Sequence, residues 1–439
     1  MPELSPSESA QALSAQPENL AAAASLRTSP SREPRGYAVA LGGANFGIYL
    51  AVLTPVLVSL AFKVQHITSS PAEAAGALGL VLGVGALFAL VANPLVGRLS
   101  DRTTSRFGMR RPWILGGAVI GFLALGLVGV ANTVWLVLVG WCAAQAAMNA
   151  VLAAANATLP DQVPVKRRGV VSGIVGITTP LAIVGGSALT NFLASDVARF
   201  AVPAALAVVF CVLFAVTLKD RVLTCKPATR FTFTEFLGSF AFNPVKHSDL
   251  GWAWLTKFFI MFGYAGIATF LPFYLTEKFG LSEQEAIGTV LLANLAATVL
   301  MVISSPLSGY LSDKVGRRRP FVTSAGLIAV AGLIVLAFAP NPAIVVVAQG
   351  IIGFGMGGFF AVDLALTTQV LPNPDDTAKD LGVLNIANSL PQSIAPAIAP
   401  GIIALGALTP LGGYTTFYLV GALVALAGAV LVYRIRSVK

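Results

Sequence analysis

One carboxylate in this 439-residue chain interrupts a long apolar segment. It is Asp363, which stands alone in this respect among 19 acidic residues and lies nine positions before Pro372. At 1.5 Å per residue it would sit about 13 Å inside the end of a helix. A carboxylate within a membrane is costly unless it faces a cavity, finds a partner or is protonated. We predict that Asp363 faces a central cavity, where it carries a coupling proton or accepts substrate hydroxyls. A structural bond to a neighbouring helix is the alternative.

Amide and hydroxyl side chains recur at helical spacing in the other apolar segments. We predict that they face the same cavity, because such groups donate and accept hydrogen bonds and therefore suit a neutral, polyhydroxylated ligand. The alternative is that they bond neighbouring helices to each other. In chain order they are Asn45, Tyr49, Gln145, Asn149, Asn156, Tyr264, Gln349, Thr367, Asn385, Asn388 and Gln392.

Cationic side chains are expected at the ends of the apolar segments. Lys257 shares a helical face with Tyr264, and we interpret it as an anchor at the cytoplasmic surface rather than a ligand. Without a deep counter-charge, a permanently anionic substrate is disfavoured. Enzyme chemistry is not indicated either, since the sequence has no phosphate loop, no His–Glu metal pattern and no nucleophile triad. His66 and His247 are expected on the surface, and the three cysteines have no metal or disulfide spacing.

Two charged loops of similar sequence hold the second group of candidate residues. The first runs from Gly97 through Asp101, the second from Gly309 through Asp313, and the two aspartates are 212 positions apart. Each glycine can admit a neighbouring helix, and each aspartate can accept hydrogen bonds from the N-terminus of that helix, where the helix dipole favours negative charge. We predict a gating role for both pairs. The associated arginines, which either share that role or only set the topology, are Arg102, Arg110, Arg111, Arg317 and Arg318.

The elements that position these residues are membrane-spanning helices. The chain is 56% hydrophobic and 11% charged, with a mean hydropathy of +0.81, whereas soluble chains are about 25% charged. Apolar windows long enough to cross a bilayer recur throughout. We therefore predict an all-α polytopic membrane protein. Its twelve spans are 38–62, 76–99, 112–131, 134–158, 170–192, 200–218, 252–275, 286–311, 320–339, 342–370, 382–404 and 414–433.

The distribution of basic residues predicts the topology. With twelve spans, 25 of the 28 Lys and Arg residues fall on one side, and Lys63, Arg199 and Lys278 on the other. Because cytoplasmic loops are enriched in Lys and Arg, both termini are expected in the cytoplasm. The net charge of +9 is thus explained by topology and does not indicate a nucleic-acid partner.

The chain is expected to consist of two equivalent halves. Besides the aspartates, Pro160 and Pro372 are 212 positions apart, which indicates a parallel internal repeat. We predict a disordered cytoplasmic tail (1–36), a first six-helix bundle (37–218), a cytoplasmic linker with an interfacial helix (219–250), a second bundle (251–433) and a short tail (434–439).

Six plus six spans, with G-x-x-x-D-(R/K) and G-x-R-R in the loops after spans 2 and 8, resemble the major facilitator superfamily of secondary transporters. The segments 105–112 and 379–388 are similar to those of the sucrose-transporter and glycoside–pentoside–hexuronide group. Two departures are Met109, where a basic residue is usual, and the lack of an acidic residue in span 4. The resemblance implies alternating access around a site lined by spans 1, 4, 7 and 10. It also places the Asp101 and Asp313 contacts between the halves, where they would close the cytoplasmic side.

The expected function is proton-coupled symport of a neutral sugar or glycoside across the plasma membrane by a monomer. Its partners would be the lipid bilayer and a small, neutral and polar substrate. A proton or sodium ion would be the coupling ion, and no cofactor is expected. The first alternative is an exporter of drugs or metabolites by proton antiport, and a more distant one is a membrane sensor that transports nothing.

Overall fold

The computed structural model describes residues 34–223, 248–370 and 377–435, except for the side chains of 165, 364, 365, 368, 369, 377–383 and 385. Most of the predicted N-terminal tail, the interfacial helix expected in the linker, His247, and the side chain of Asn385 therefore lie outside the described residues.

Twelve helices are long and apolar enough to cross a membrane, as predicted. Most extend a few residues beyond the predicted bounds. In chain order they are α1 (Tyr37–Ile67), α2 (Pro71–Ser100), α3 (Arg111–Val130), α4 (Val134–Gln162), α5 (Val165–Phe192), α6 (Asp196–Thr217), α7 (Ser248–Phe279), α8 (Glu283–Val315), α9 (Arg319–Ala337), α10 (Pro342–Gln369), α11 (Thr377–Ala407) and α12 (Gly413–Leu431).

The helices run alternately up and down, so the bundle has two distinct ends. The charged-loop end carries the loops after α2 and α8, and the opposite end carries the loops after α1 and α7. Five helices begin at the opposite end with a polar N-cap that accepts a backbone hydrogen bond, and these caps define where the helices start. The cap residues are Ser70, Thr133, Ser195, Ser282 and Asn341.

Glycines allow close helix packing inside each half. In the first half, a Cβ added at Gly47 of α1 would lie 2.9 Å from the Cα of Ala207 in α6. In the second half, a Cβ at Gly263 of α7 would lie 2.6 Å from the carbonyl oxygen of Gly421 in α12. Small residues thus bring equivalent helices together in both halves, as is common where lipid replaces water as the solvent.

The two halves meet along α2 and α11 near the opposite end. A Cβ at Gly79 would lie 2.6 Å from the carbonyl oxygen of Pro396, and a Cβ at Gly83 would lie 2.8 Å from the Cβ of Ala397. Helices α5 and α8 meet as well, since Asn294 donates to the Ser187 hydroxyl at 2.9 Å. These contacts place the seam between the halves above the middle of the bundle, on the side away from the charged loops.

Candidate functional site

A cavity with two connected lobes lies between the halves. The first lobe, of about 340 Å³, is lined by α1, α2, α4 and α11. The second, of about 290 Å³, also contacts α5, α7, α8 and α10. The residues that line both are Leu53, Val56, Ala86, Gln145 and Gln392. Spans 1, 4, 7 and 10 therefore contribute to the cavity together with four further helices that were not expected there.

Helix α1 changes its winding where it borders the cavity. Pro55–Ser59 forms a π-helical turn, and Val56 within it lines both lobes. Proline has no N–H to donate to the helix, which weakens the regular ladder at this point. The hydroxyls of Thr54, just before the turn, and Ser59, its last residue, are buried with no hydrogen-bond partner among the described residues. Such single π turns occur frequently at functional sites.

Five of the predicted polar residues line the cavity. Tyr49 and Asn149 lie in the first lobe, Tyr264 in the second, and Gln145 and Gln392 in both. The Asn149 amide nitrogen donates to the Gln145 side-chain oxygen at 3.1 Å, so Asn149 orients the Gln145 side chain. Six further polar residues line the cavity and were not predicted, namely Asn93, Thr179, Thr269, Asn294, Thr298 and Ser389. Asn93 and Asn294 were detectable as isolated amides inside apolar segments.

The rest of the lining is apolar, and none of the described residues lining either lobe is charged. In the second lobe Met261, Met301 and Phe360 supply flexible and aromatic surface. Amides and hydroxyls can hold a neutral polar ligand, whereas a fixed charge on the ligand would have no counter-charge in the lining. The cavity is therefore chemically suited to an uncharged molecule.

Asp363 does not line either lobe, contrary to the prediction. It is 6% exposed and forms an ion pair with Lys257, which is 9% exposed, at 2.8 Å between Oδ2 and Nζ. The interpretation of Lys257 as a surface anchor is therefore wrong, because this lysine is the buried counter-charge. Lys257 lies one turn from Met261, and Asp363 lies three residues from Phe360. The pair thus sits about one turn beyond the second lobe, towards the charged-loop end.

Other predicted residues hold helices together or are buried elsewhere. Asn45 donates to the Leu41 carbonyl at 2.9 Å and to the Asn156 side chain at 3.1 Å, which joins α1 to α4. Gln349 and Thr367 are buried on the same face of α10 as Asp363, as the spacing predicted. The Gln349 amide nitrogen and the Asn388 side-chain oxygen have no hydrogen-bond partner among the described residues.

Both charged loops contain the same three-residue cluster. Arg110 pairs with Asp101 and donates to the Ser100 hydroxyl, and Arg318 pairs with Asp313 and donates to the Ser312 hydroxyl at 3.0 Å. In this conformation each aspartate therefore pairs with an arginine of its own half. Arg110 also lies 3.6 Å from Asp161 at the end of α4. Arg102 lies half-buried in the first loop, and the Arg317 carbonyl accepts from Ser312 at 3.4 Å.

Among the described residues, nothing approaches the two loop glycines as closely as predicted in this conformation. A Cβ at Gly97 would have nothing within 4 Å, and the nearest atom to one at Gly309 would be the Ala361 Cβ at 3.9 Å. The seam between the halves explains this difference, because it lies at the other end of the bundle. The gating role of these residues stays a prediction for the alternative conformation.

The first loop is longer than the second, and its last residues wrap around Asp220 at the start of the linker. The backbone N–H groups of Arg110 and Arg111 donate to Asp220 Oδ2 at 2.7 and 2.8 Å. The Met109 N–H donates to the Arg221 carbonyl at 2.9 Å. Arg111 also donates to the Leu218 carbonyl. The loop thus fixes the point where the chain leaves the first half.

An ionic cluster joins the halves at the opposite end. Asp196 of α6 accepts from Lys63 at 3.3 Å and contacts His66 Nδ1 at 3.1 Å. Glu283 of the second half contacts His66 Nε2 at 3.1 Å and pairs with Arg199. His66, expected to be an ordinary surface histidine, therefore bridges both halves. Its spacing in the sequence gave no signal, because its two partners lie 130 and 217 positions away.

A family profile described as Major Facilitator Superfamily matches residues 38–303 and 253–439. The multidrug resistance protein MdtG of Dickeya zeae is 27% identical over 60% of this chain and 62% of its own length. The sucrose transport protein SUC4 of Arabidopsis thaliana is 34% identical over 23% of this chain and 17% of its own length. The chain thus spans less than two thirds of these relatives.

A solved structure supports the same architecture. The crystal structure of a D-xylose-proton symporter superposes with a TM-score of 0.70 over 92% of this chain and 98% of that chain, at 14% sequence identity. At this identity the likeness shows a shared fold.

Proposed function

The chain belongs to the Major Facilitator Superfamily, and we propose that this transporter carries a neutral sugar or glycoside together with a proton. The observation that carries the proposal is the uncharged, amide-lined cavity between its halves. The charged loops would face the cytoplasm of a plasma membrane, in accord with the distribution of Lys and Arg. The two halves would rock about the cavity, and the seam at the opposite end would correspond to a state open towards the cytoplasm.

The cavity supports a sugar through paired amides and an aromatic surface. Gln145 lies between the lobes, and Asn149 holds its side-chain oxygen. A substrate hydroxyl near Gln145 can therefore accept a hydrogen bond from the Gln145 amide nitrogen. It can also donate to the Gln145 side-chain oxygen in place of Asn149. Tyr49, Gln392 and Tyr264 extend these contacts over both lobes. The sequence similarity to a sucrose transport protein points in the same direction.

Proton coupling would use the buried carboxylate of Asp363. A carboxylate inside a membrane helix marks a proton or ion pathway by default. Asp363 lies outside the cavity lining, so protonation would act on helix position and not by direct contact with the sugar. Sodium is the alternative coupling ion.

Export of an amphipathic compound by proton antiport is the second candidate. Met261, Met301 and Phe360 give the second lobe an adaptable apolar surface, and flexible Met-rich surfaces suit varied ligands. The similarity to MdtG covers more of the chain than the similarity to the sucrose carrier.

Transport by the purified protein in liposomes separates these functions. With an imposed proton gradient, we expect accumulation of a labelled disaccharide that a protonophore abolishes. Loss of one substrate hydrogen bond costs about 1 kcal/mol, so Gln145→Leu is expected to raise KM about fivefold. Gln162→Leu is the matched control, because Gln162 lies on the same helix but bonds the Lys219 carbonyl outside the cavity. Proton-driven expulsion of an amphipathic cation without sugar uptake would favour the exporter, and no flux of either would favour the sensor.

A further inference from the structure

A groove of about 520 Å³ lies on the outer surface of the first half, near the charged-loop end. Helices α3 and α6 form its walls, together with the end of the first charged loop. Four of the apolar residues that line it, Phe107, Leu115, Val212 and Val216, are between 37% and 75% exposed. Among the described residues, it shares no lining residue with either lobe of the central cavity. The groove therefore faces the bilayer.

The groove runs from the membrane surface into the hydrocarbon region. Helix α3 begins at Arg111, and Leu115 lies one turn further along it. The exposed side chains of Val119 on α3 and Val209 on α6 continue the two walls beyond Leu115 and Val212. From Arg111 to Val119 the helix rises about 12 Å. Since one leaflet contributes about half of the roughly 30 Å hydrocarbon core, the apolar walls cover most of its depth.

Two arginines lie at the mouth of this groove. The Arg111 guanidinium donates to the Leu218 carbonyl after the end of α6, and its Nε atom is buried with no hydrogen-bond partner among the described residues. Arg106 is exposed, and its guanidinium lies over the ring of Phe107, 4.8 Å from the centroid. Among the residues that the structure describes, neither arginine forms an ion pair with an acid.

The acids near this mouth are bonded to other groups. Asp220 Oδ2 accepts from the backbone N–H groups of Arg110 and Arg111 at 2.7 and 2.8 Å. Asp101 and Asp161 lie against the Arg110 side chain. The Arg111 guanidinium therefore keeps an unpaired positive charge at the membrane surface. Basic pockets in this position attract anionic headgroups, and the planar fork of arginine matches two phosphate oxygens.

We propose that this groove binds one anionic glycerophospholipid from the leaflet at the charged-loop end. One acyl chain lies between Leu115 and Val212, and the headgroup phosphate accepts hydrogen bonds from Arg111 and Arg106. A lipid is favoured over a soluble anion because the apolar walls gain contact only with an acyl chain. An anionic headgroup is favoured over a zwitterionic one because both arginines lack an acidic partner.

Native mass spectrometry of the full-length protein in detergent tests the site without a transported substrate. The probe is phosphatidylglycerol, and phosphatidylcholine with the same acyl chains is the comparison. We expect tighter retention of phosphatidylglycerol, and a loss of about tenfold in Arg111→Gln, which removes a charge-assisted hydrogen bond. Arg167→Gln is the matched control, since Arg167 is an exposed arginine at the same end of the first half but lies on α5, outside the groove. Equal retention in these two variants would overturn the proposal.

Two further variants preserve the contact between Arg111 and Leu218, so the test holds even if Arg111→Gln fails to fold. Arg106→Gln is expected to weaken retention of phosphatidylglycerol several-fold. Val212→Trp fills the groove while both arginines remain, and it is expected to weaken retention as well. Unchanged retention in Val212→Trp would contradict the position given to the acyl chain. Inorganic phosphate in large excess should leave the lipid bound, and displacement by phosphate would show an anion site only and contradict the proposal.

Discussion

At the residue scale, Gly316 of the second loop has a counterpart in the first loop, Gly108, which packs against an acid of the linker. Gly108 has a φ of 103°, which L side chains rarely adopt. A Cβ at this position would lie 2.2 Å from Asp220 Oδ2, the oxygen that accepts from the backbone N–H groups of Arg110 and Arg111 at the start of α3. The residues at the end of the first loop therefore have a local purpose, which is to surround Asp220.

Gly108→Ala is expected to destabilise the protein by about 1–3 kcal/mol, because it adds backbone strain and displaces Asp220. The midpoint of thermal unfolding in detergent measures this effect. Gly126→Ala is the control, since Gly126 lies within α3 and a Cβ there would have nothing within 4 Å. Alanine in a helix is favoured over glycine by up to about 1 kcal/mol. Equal midpoints for the two variants would contradict the role assigned to Gly108.

The sequence predicted which polar residues lie inside apolar helices but not which of them contact each other. Helical spacing correctly placed Gln145 and Asn149 on one face, and the isolation of Asp363 correctly marked it as a buried acid. The partner of Asp363 was missed because Lys257 lies on another helix, whose rotation about its own axis depends on packing. For the same reason, spacing could not distinguish Asn45, which joins two helices, from Tyr49, which lines the cavity.

At the element scale, the seam between α2 and α11 depends on glycines, which have no side chain to keep the helices apart. Gly79 and Gly83 lie on one face of α2, and the prolines of α11 remove backbone N–H groups on the facing helix. A Cβ at Gly79 would be 2.8 Å from the Pro400 side chain. The fit leaves no room for a larger residue while the halves are closed at this end.

Gly79→Leu is expected to push the opposite end of the bundle open. Overpacking of this kind costs about 1–3 kcal/mol, and each 1.4 kcal/mol changes a conformational equilibrium about tenfold. A cysteine introduced at Ser389, in the first lobe, should react faster with a membrane-impermeant thiol reagent added from that side. Gly76→Leu, one turn away with nothing within 4 Å of its Cβ, is the control and should leave the rate unchanged. A rate in Gly79→Leu equal to that of Gly76→Leu would contradict this role.

At the scale of the whole molecule, the twelve spans and their repeat follow directly from sequence, because the bilayer fixes helix length and lipid-facing composition. The repeat is visible in detail, since Ser100, Asp101 and Arg110 have counterparts in Ser312, Asp313 and Arg318 that make the same contacts. The conformation does not follow from sequence. The same sequence must be able to close either end of the bundle. The loop aspartates lie at one end, and the ionic cluster around Glu283 lies at the other.

The balance between the two conformations should respond to Glu283. Its carboxylate contacts His66 and Arg199 of the other half, so Glu283→Gln removes the charge that both contacts share. Glu283 and His66 are partly exposed, whereas Arg199 is buried. The contribution of the two contacts is expected to be about 1 kcal/mol, which changes the ratio of two states several-fold.

Spin labels are placed on α6 and α8 at their ends away from the charged loops. The distance between the labels should be longer in a larger fraction of Glu283→Gln molecules than of wild-type molecules. Glu285→Gln is the matched control, because Glu285 lies on the same helix but caps its start through Ser282 within one half. That variant should lower thermal stability without changing the distance distribution. If both variants kept the wild-type distribution, the cluster would act only as a surface ion network. A shift in Glu283→Gln alone would identify it as the gate at the end away from the charged loops.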